Sequence, residues 1–368
     1  MKYFKTLLVS IILGVNGLLC LLLLFSAFSP YINPIHHPIL ACAGMAFPAF
    51  LLTNAIFVIF WLFVYKKYAI LPLLTLIICF GQIRTYIPIN FRTKDIPQKA
   101  FKLLSYNVMA FNGDKKHTEA DPNPILEYIK NSDADIICMQ EFIMGVDKHH
   151  LLKNDVDRAL KAYPYNTVVK VGKNNENGLA CYSKYPIIST RRLKYESLYN
   201  GSAIYELKIN EDTITIINNH LESNKLTYED KAVYVDMIKS PQKEKISRGM
   251  RLLISKLAEA NVIRAKQVQF LGGQIDSLGK RPIIVCGDFN DTPISYTHRI
   301  IAQDLNDAYV QSGNGLGISY NQNGFYFRID NILISKNLES YNCTVDNTIK
   351  DSDHYPIWCF IGRKDQKK

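Results

Sequence analysis

Pro282-Ile-Ile-Val-Cys-Gly287-Asp288-Phe289-Asn290-Asp291-Thr-Pro293 is an apolar run that stops at glycine and at once presents Asp, Asn and Asp. A short β-branched run ending in glycine reads as a buried strand. A turn rich in Asp and Asn is the plain interpretation of its end. Phe289 weakens that interpretation, because alternation along an extended chain turns Asp288 and Asn290 the same way.

Four other stretches share this character. Lys102-Leu-Leu-Ser-Tyr-Asn107 carries an amide inside a half-buried strand, where it needs either a local backbone network or a function. Asp135-Ile-Ile-Cys-Met-Gln140-Glu141 ends in a carboxylate, solvated unless it supplies the hard oxygen that Mg²⁺ or Mn²⁺ prefers. Thr215-Ile-Ile-Asn218-Asn219-His220 ends in a histidine that caps the strand or serves as an acid near neutral pH. In Arg328-Ile-Asp330 and Ser352-Asp353-His354, an Asp inside a strand needs a partner, and histidine gains a fixed tautomer from one. Strand ends hold side chains rigidly beside loops, where a site needs them.

Outward from these ends, strands are expected over 102–109, 135–139, 167–171, 179–183, 203–209, 213–219, 282–286, 325–334 and 355–361. Helices are expected over 123–130, 151–162, 228–238 and 247–278, the last with Leu253, Leu257, Val268, Leu271 and Ile275 near one face. Strands outnumber helices without regular interleaving. That predicts an α/β sandwich of mainly antiparallel sheets with helices outside.

Taken in order, these motifs, with Asn177-Gly-Leu-Ala-Cys-Tyr-Ser183 among them, resemble the signature of the endonuclease/exonuclease/phosphatase superfamily over residues 100–362. The resemblance implies a DNase I-like four-layer α/β sandwich and a hydrolase of phosphate esters dependent on Mg²⁺, with Mn²⁺ an alternative. It implies Glu141 as main metal ligand, helped by Asn107 and Asp353. Asp288 and Asn290 would orient the attacking water, His354 held by Asp330 would act at the phosphate, and His220 would serve the leaving oxygen. Asn177 and Arg328 would bind substrate.

The first 94 residues are different. They hold seven basic residues and no Asp or Glu. Subtracting those seven from 43 leaves 36 basic against 33 acidic residues, a net +3 for 95–368, so the chain's +10 is poor evidence for a nucleic-acid stripe. Uncharged runs over 6–28 and 38–65 are long enough to cross a ~30 Å core. The run 68–83 is shorter and crosses only if Arg84 snorkels or the helix extends toward Pro88. The first run exceeds the ~7 to 15 apolar residues of a cleaved signal peptide. The expected organisation is a membrane anchor over 1–94, with spans near 6–28, 38–65 and 68–88 in a bacterial-type inner membrane, followed by a catalytic domain over 95–368.

Charge gives conflicting topology. Lys2, Lys5, Lys66 and Lys67 place both ends of a two-span hairpin inside, so that a third span would export the domain. Arg84, Arg92, Lys94, Lys99 and Lys102 argue for retention. The extracytoplasmic side is favoured weakly. Five cysteines outside the apolar runs form no disulfide or zinc pattern, and Cys138, Cys181 and Cys286 read as small buried hydrophobes.

The expected function is hydrolysis of a phosphodiester, in nucleic acid or a phospholipid head group, at the lipid bilayer. The alternatives are a phosphomonoesterase on a soluble metabolite and an inactive tethered binding protein, and no protein partner is inferable. Residues 222–250 and 311–326 are the expected selectors of substrate.

Overall fold

The computed structural model describes residues 2–113, 117–118, 120–145, 151–239, 242–322 and 324–364. Two six-stranded sheets face each other. The first runs in the order β13-β14-β1-β2-β4-β3, from β1 (Phe101–Asn107), β2 (Ile136–Gln140), β3 (Tyr165–Val171), β4 (Asn177–Ser183), β13 (Leu338–Val345) and β14 (Ile357–Arg363). The second runs β5-β6-β7-β8-β12-β9, from β5 (Ile187–Leu193), β6 (Gly201–Ile209), β7 (Asp212–His220), β8 (Ile283–Asp288), β9 (Leu305–Asp307) and β12 (Asp330–Ser335). A separate hairpin joins β10 (Tyr320–Gln322) to β11 (Phe325–Phe327).

The core explains the layering. Between the sheets lie Leu103, Cys138, Cys181, Tyr205, Cys286 and Ile332, and the three cysteines are free and fully buried, packing as small hydrophobes. A second cluster covers the outer face of the first sheet with Ile125, Leu126 and Ile129 of a helix at Pro124–Asn131. A third covers the second sheet with Val268, Leu271 and Ile275 from the helix Lys243–Leu278. Helix, sheet, sheet and helix make the four-layer sandwich.

Both sheets are mixed. Most pairs are antiparallel, but β1 runs parallel to β2 and β7 parallel to β8. These four central strands bring Asn107, Gln140, His220 and Asp288 to their C-terminal ends, with Asn107 opposite Gln140 and His220 opposite Asp288. β12 runs the other way and starts with Asp330 opposite Asp288. Gln140 Nε2 donates to Asn218 Oδ1 at 2.6 Å, tying the two sheets together directly beneath that edge. Gly287 has φ +119°, and a Cβ there would come within 2.1 Å of the Asn219 carbonyl, so the glycine before Asp288 is required by β7.

The N-terminal part contains α1 (Lys2–Phe28), α2 (Phe47–Val64), α3 (Ile70–Ile78) and α4 (Phe80–Tyr86). By length and composition, Tyr3–Tyr31 and Pro38–Val64 could each cross a membrane. The span expected over 68–88 is not straight: Cys79, with ψ near 7°, leaves the helical region, and the pair Lys66–Ile78 and Phe80–Tyr86 bends by 63°. Trp61 Nε1 donates to Asn16 Oδ1 at 2.9 Å and Asn54 Nδ2 to the Leu19 carbonyl at 3.1 Å, joining α1 to α2.

This part does not hang free of the sandwich. Arg299 Nε donates to the Pro30 carbonyl at 2.8 Å and Asn261 Nδ2 to Cys42 Sγ at 3.3 Å. Gly44 lies so close to the Ile294 backbone that a Cβ would fall 1.9 Å from its carbonyl oxygen. Ile294 is buried with Leu23, Phe47, Cys79 and Tyr86 in one cluster. Past α4, Asn90 Nδ2 donates to the Gly313 carbonyl at 2.7 Å.

Candidate active site

The polar strand ends converge on Asp288. Its Oδ2 accepts from Asn107 Nδ2 at 3.2 Å and Asn290 Nδ2 at 3.1 Å, while Oδ1 accepts from the Asn290 N–H at 2.7 Å. The Nε2 atoms of His220 and His354 each lie 3.6 Å from the same Oδ2. Burial pushes the Asp288 carboxyl up to about 6, against the pull of His354, with Asp330 pushing the same way as burial.

Each histidine has its own support. His354 Nδ1 stands 2.8 Å from Asp330 Oδ2, which fixes Nδ1 as the protonated nitrogen toward the carboxylate and turns Nε2 toward Asp288. Burial opposes the charged imidazole, but Asp330 and Asp288 outweigh it and raise the His354 pKa well above the ordinary value. Ser352 Oγ donates to the Asn107 carbonyl at 2.8 Å and accepts from the His354 N–H at 3.2 Å, so the loop is pinned to β1. His220 Nε2 is also 3.6 Å from Glu141 Oε1, and among the described residues its buried Nδ1 has no hydrogen-bond partner.

Glu141 and Asn290 both hold left-handed backbone, at φ 52° and 53°, directly after β2 and near the end of β8. Such conformations cost energy in a non-glycine residue and cluster where side chains must be aimed. Asn107 donates to Glu141 Oε1 at 3.1 Å as well as to Asp288, so one amide is shared by two carboxylates.

The pocket at this edge has a cavity of about 200 Å³, and its lining includes Glu141, His220, Asp288, Asn290, Asp353 and His354. The donor set suits a hard divalent cation: three of these residues are carboxylates, and Asp330 Oδ1 is buried without a partner among the described residues. Donor atoms of Asp288, Asp330 and His354 all fall within 4.8 Å of one another. Asn107 presents its amide nitrogen to the carboxylates while its oxygen accepts from the Met109 N–H at 3.1 Å. It would ligate a cation only with the amide turned over.

Two expected substrate contacts are elsewhere. Arg328 is 2% exposed and outside the pocket lining; its Nη2 donates to the Thr85 carbonyl at 2.6 Å, and its guanidinium lies 4.5 Å from the Tyr309 ring. The pull of α4 and Tyr309 takes it out of the strand expected over 325–334, which splits into β11 and β12 around it. Asn177 is buried at the start of β4 with its Oδ1 on the Gly178 N–H, and it too is absent from the lining.

The lining adds residues that the motifs do not reveal. Arg264, 1% exposed on the helix Lys243–Leu278, donates through Nη1 to the Glu222 carbonyl at 2.7 Å and has Nε 3.6 Å from Asp291. An arginine on a helix face otherwise apolar at its spacing is the only sequence signal it leaves. Met45 also lines the pocket, from the segment between α1 and α2. Both expected selector segments reach the site, through Asn224, Lys225 and Leu226 and through Tyr320 and Phe325.

Residues 104–354 match the family described as Endonuclease/Exonuclease/phosphatase family. The chain belongs to this family. Members of the endonuclease/exonuclease/phosphatase family hydrolyse phosphate esters, and the protein is a phosphoester hydrolase. Residues 9–86 match a second family, a domain of unknown function (DUF8431). No curated protein matches the chain.

Solved structures share the fold. An endonuclease/exonuclease/phosphatase from Beutenbergia cavernae DSM 12333 is 14% identical, covering 72% of this chain and 72% of its own, with a TM-score of 0.50. ANGEL2, a 2′,3′-cyclic phosphatase in complex with adenosine-2′,3′-vanadate, is 15% identical over 74% and 99%, with a TM-score of 0.50. Truncated Caenorhabditis elegans TDP2 is 17% identical over 73% and 100%, with a TM-score of 0.49.

Proposed function

We propose that the protein is a membrane-anchored, divalent-metal-dependent phosphodiesterase whose site is the cluster around Asp288. The convergence of two imidazoles and two amides on one buried carboxylate supports this reading most directly. A cation would be held by Glu141 with Asp353, joined by Asn107 if its amide turns over, and when bound would neutralise charge on the phosphoryl oxygens.

The chain's own groups handle position and protons. Asp288 orients the attacking water and accepts one of its protons, with Asn290 fixing the carboxylate. His354, kept charged by Asp330, donates to a phosphoryl oxygen. His220 donates a proton to the leaving oxygen. The water oxygen forms a new P–O bond as the ester P–O bond breaks, giving a phosphomonoester and an alcohol. Hydrolysis of bis(p-nitrophenyl) phosphate by the full chain should fall to background with a chelator and return with added Mg²⁺ or Mn²⁺. Chelator-insensitive hydrolysis would remove the metal from the mechanism.

The anchor and the catalytic part divide near residue 94, and three crossings export the latter. The contacts of Pro30, Cys42 and Gly44 with the sandwich support a reading with both on one side of the bilayer. α1 and α2 form a hairpin that leaves Lys66 and Lys67 on the other side, and the chain must therefore cross once more, through α3 and α4. The cytoplasmic preference of Lys2, Lys5, Lys66 and Lys67 then puts the site outside. In intact cells, a cleavable tag after Lys368 should be removed by external protease; protection until lysis would reverse the assignment.

A further inference from the structure

The pocket is partly walled by the membrane anchor, and the anchor fixes its height. Within the candidate span Pro38–Val64, Cys42 and Gly44 are docked on the sandwich, which leaves the 18 residues of α2, about 27 Å of helix, to cover a ~30 Å hydrocarbon core. Met45 lies two residues before α2 and in the same lining as Glu141, His220, Asp288 and His354. A pocket wall at that point stands at the surface of the bilayer, the level at which lipid phosphates are found.

The rest of the lining has the matching chemistry. Beside the carboxylates and imidazoles, the lining holds Leu226, Leu257, Phe325, Phe327 and Ile329, apolar like Met45. The cavity of about 200 Å³ is smaller than the ~300–1,000 Å³ that encloses a drug-sized ligand, so it takes a phosphate and a small alcohol while the remainder of the substrate stays outside. Exposed Tyr31, Ile89 and Phe91, just past α1 and α4 on the sandwich side, suit the head-group zone.

Resting on the phosphoesterase reading above, we propose that the substrate is the phosphate ester of a bilayer lipid, presented to the pocket from the membrane in which the enzyme sits. The head group enters the cavity and the acyl chains stay in the leaflet. Nucleic acid and soluble phosphate esters share the reacting group but lack the part that reaches the apolar wall.

The test uses the full chain in phosphatidylcholine vesicles carrying, one at a time, phosphatidylglycerol, phosphatidylinositol or sphingomyelin. In parallel it receives the water-soluble diesters glycerophosphoglycerol, glycerophosphoinositol and glycerophosphocholine, and single-stranded DNA. Hydrolysis of one lipid should exceed that of its soluble counterpart of order 10²-fold, because enzyme and lipid share a surface, and should follow the lipid's mole fraction in the bilayer rather than its bulk concentration. Equal or faster hydrolysis of the soluble esters or DNA would overturn the lipid assignment. Bis(p-nitrophenyl) phosphate separates the two readings: its metal-dependent hydrolysis without lipid hydrolysis sinks only the lipid proposal, and hydrolysis of neither sinks both.

Discussion

Asp288→Asn should reduce phosphodiester hydrolysis by about 10²–10³-fold, a loss of ~2.7–4 kcal/mol of transition-state stabilisation, while leaving the protein folded. The substitution conserves shape but sets an amide against the amides of Asn107 and Asn290, which both donate to Asp288 Oδ2. It also removes the negative charge that both His220 and His354 face at 3.6 Å. Thermal stability should hold or rise, since burial already disfavours the Asp288 carboxylate and raises its pKa to about 6. Turnover of bis(p-nitrophenyl) phosphate beside an unfolding curve reads both effects. A loss below tenfold would remove Asp288 from the reaction.

Asp307→Asn should cost stability instead, ~3–5 kcal/mol, the range for stranding one member of a buried ion pair. Asp307 is the negative charge near Arg328, 3.7 Å from Nη2, and also meets His298 Nε2 at 3.0 Å. Its Oδ1 caps the helix Ala308–Ser312 by accepting from the N–H groups of Tyr309 and Val310 at 2.7 and 3.1 Å. Burial acts to raise its pKa, but Arg328 and His298 overcome it and hold the value below the ordinary one. A depressed carboxylate binds its proton more weakly when folded, so its contribution is complete above the unfolded pKa of ~3.9 and fades as pH falls through the lower folded value. Denaturant unfolding of the full chain should therefore show the variant's deficit at neutral pH and a shrinking difference below about pH 4. A neutral-pH deficit under ~1 kcal/mol would mean that Arg328 finds charge compensation elsewhere.

The central strands were legible because each is an uninterrupted apolar run ending in a polar side chain, as in Ile283–Asp288 and Ile136–Gln140. β5 escapes that reading: its Ile-Ile-Ser-Thr-Arg-Arg-Leu is largely exposed at a sheet edge, so no core face marks it. β13 is hidden similarly by Glu339, Asn342 and Thr344 and is further broken by an irregular register after Tyr341. The strand ends brought together Asn107, Glu141, His220, Asp288, Asn290, Asp330, Asp353 and His354, because sheet register converts separate ends into one edge. The placement of Arg328 was not legible from its motif, since nothing local tells that Thr85 is its partner. Met45 was invisible and Arg264 nearly so for the same reason: only packing between distant segments puts them in the lining.

Arg328 with Thr85, Asn90 with Gly313, Asn261 with Cys42 and Arg299 with Pro30 pair groups 219 to 269 residues apart. A ribosome finishes the N-terminal member of every pair first, so the hairpin of α1 and α2 is complete before its docking partners exist. The N-terminal helices thus act as a template on which the later sandwich closes, and ordering such distant contacts makes assembly slow. A chain begun at Asp95 would emerge with Ile294, Arg299 and Arg328 uncovered, and its tendency to aggregate would report a missing assembly surface rather than a faulty catalytic fold.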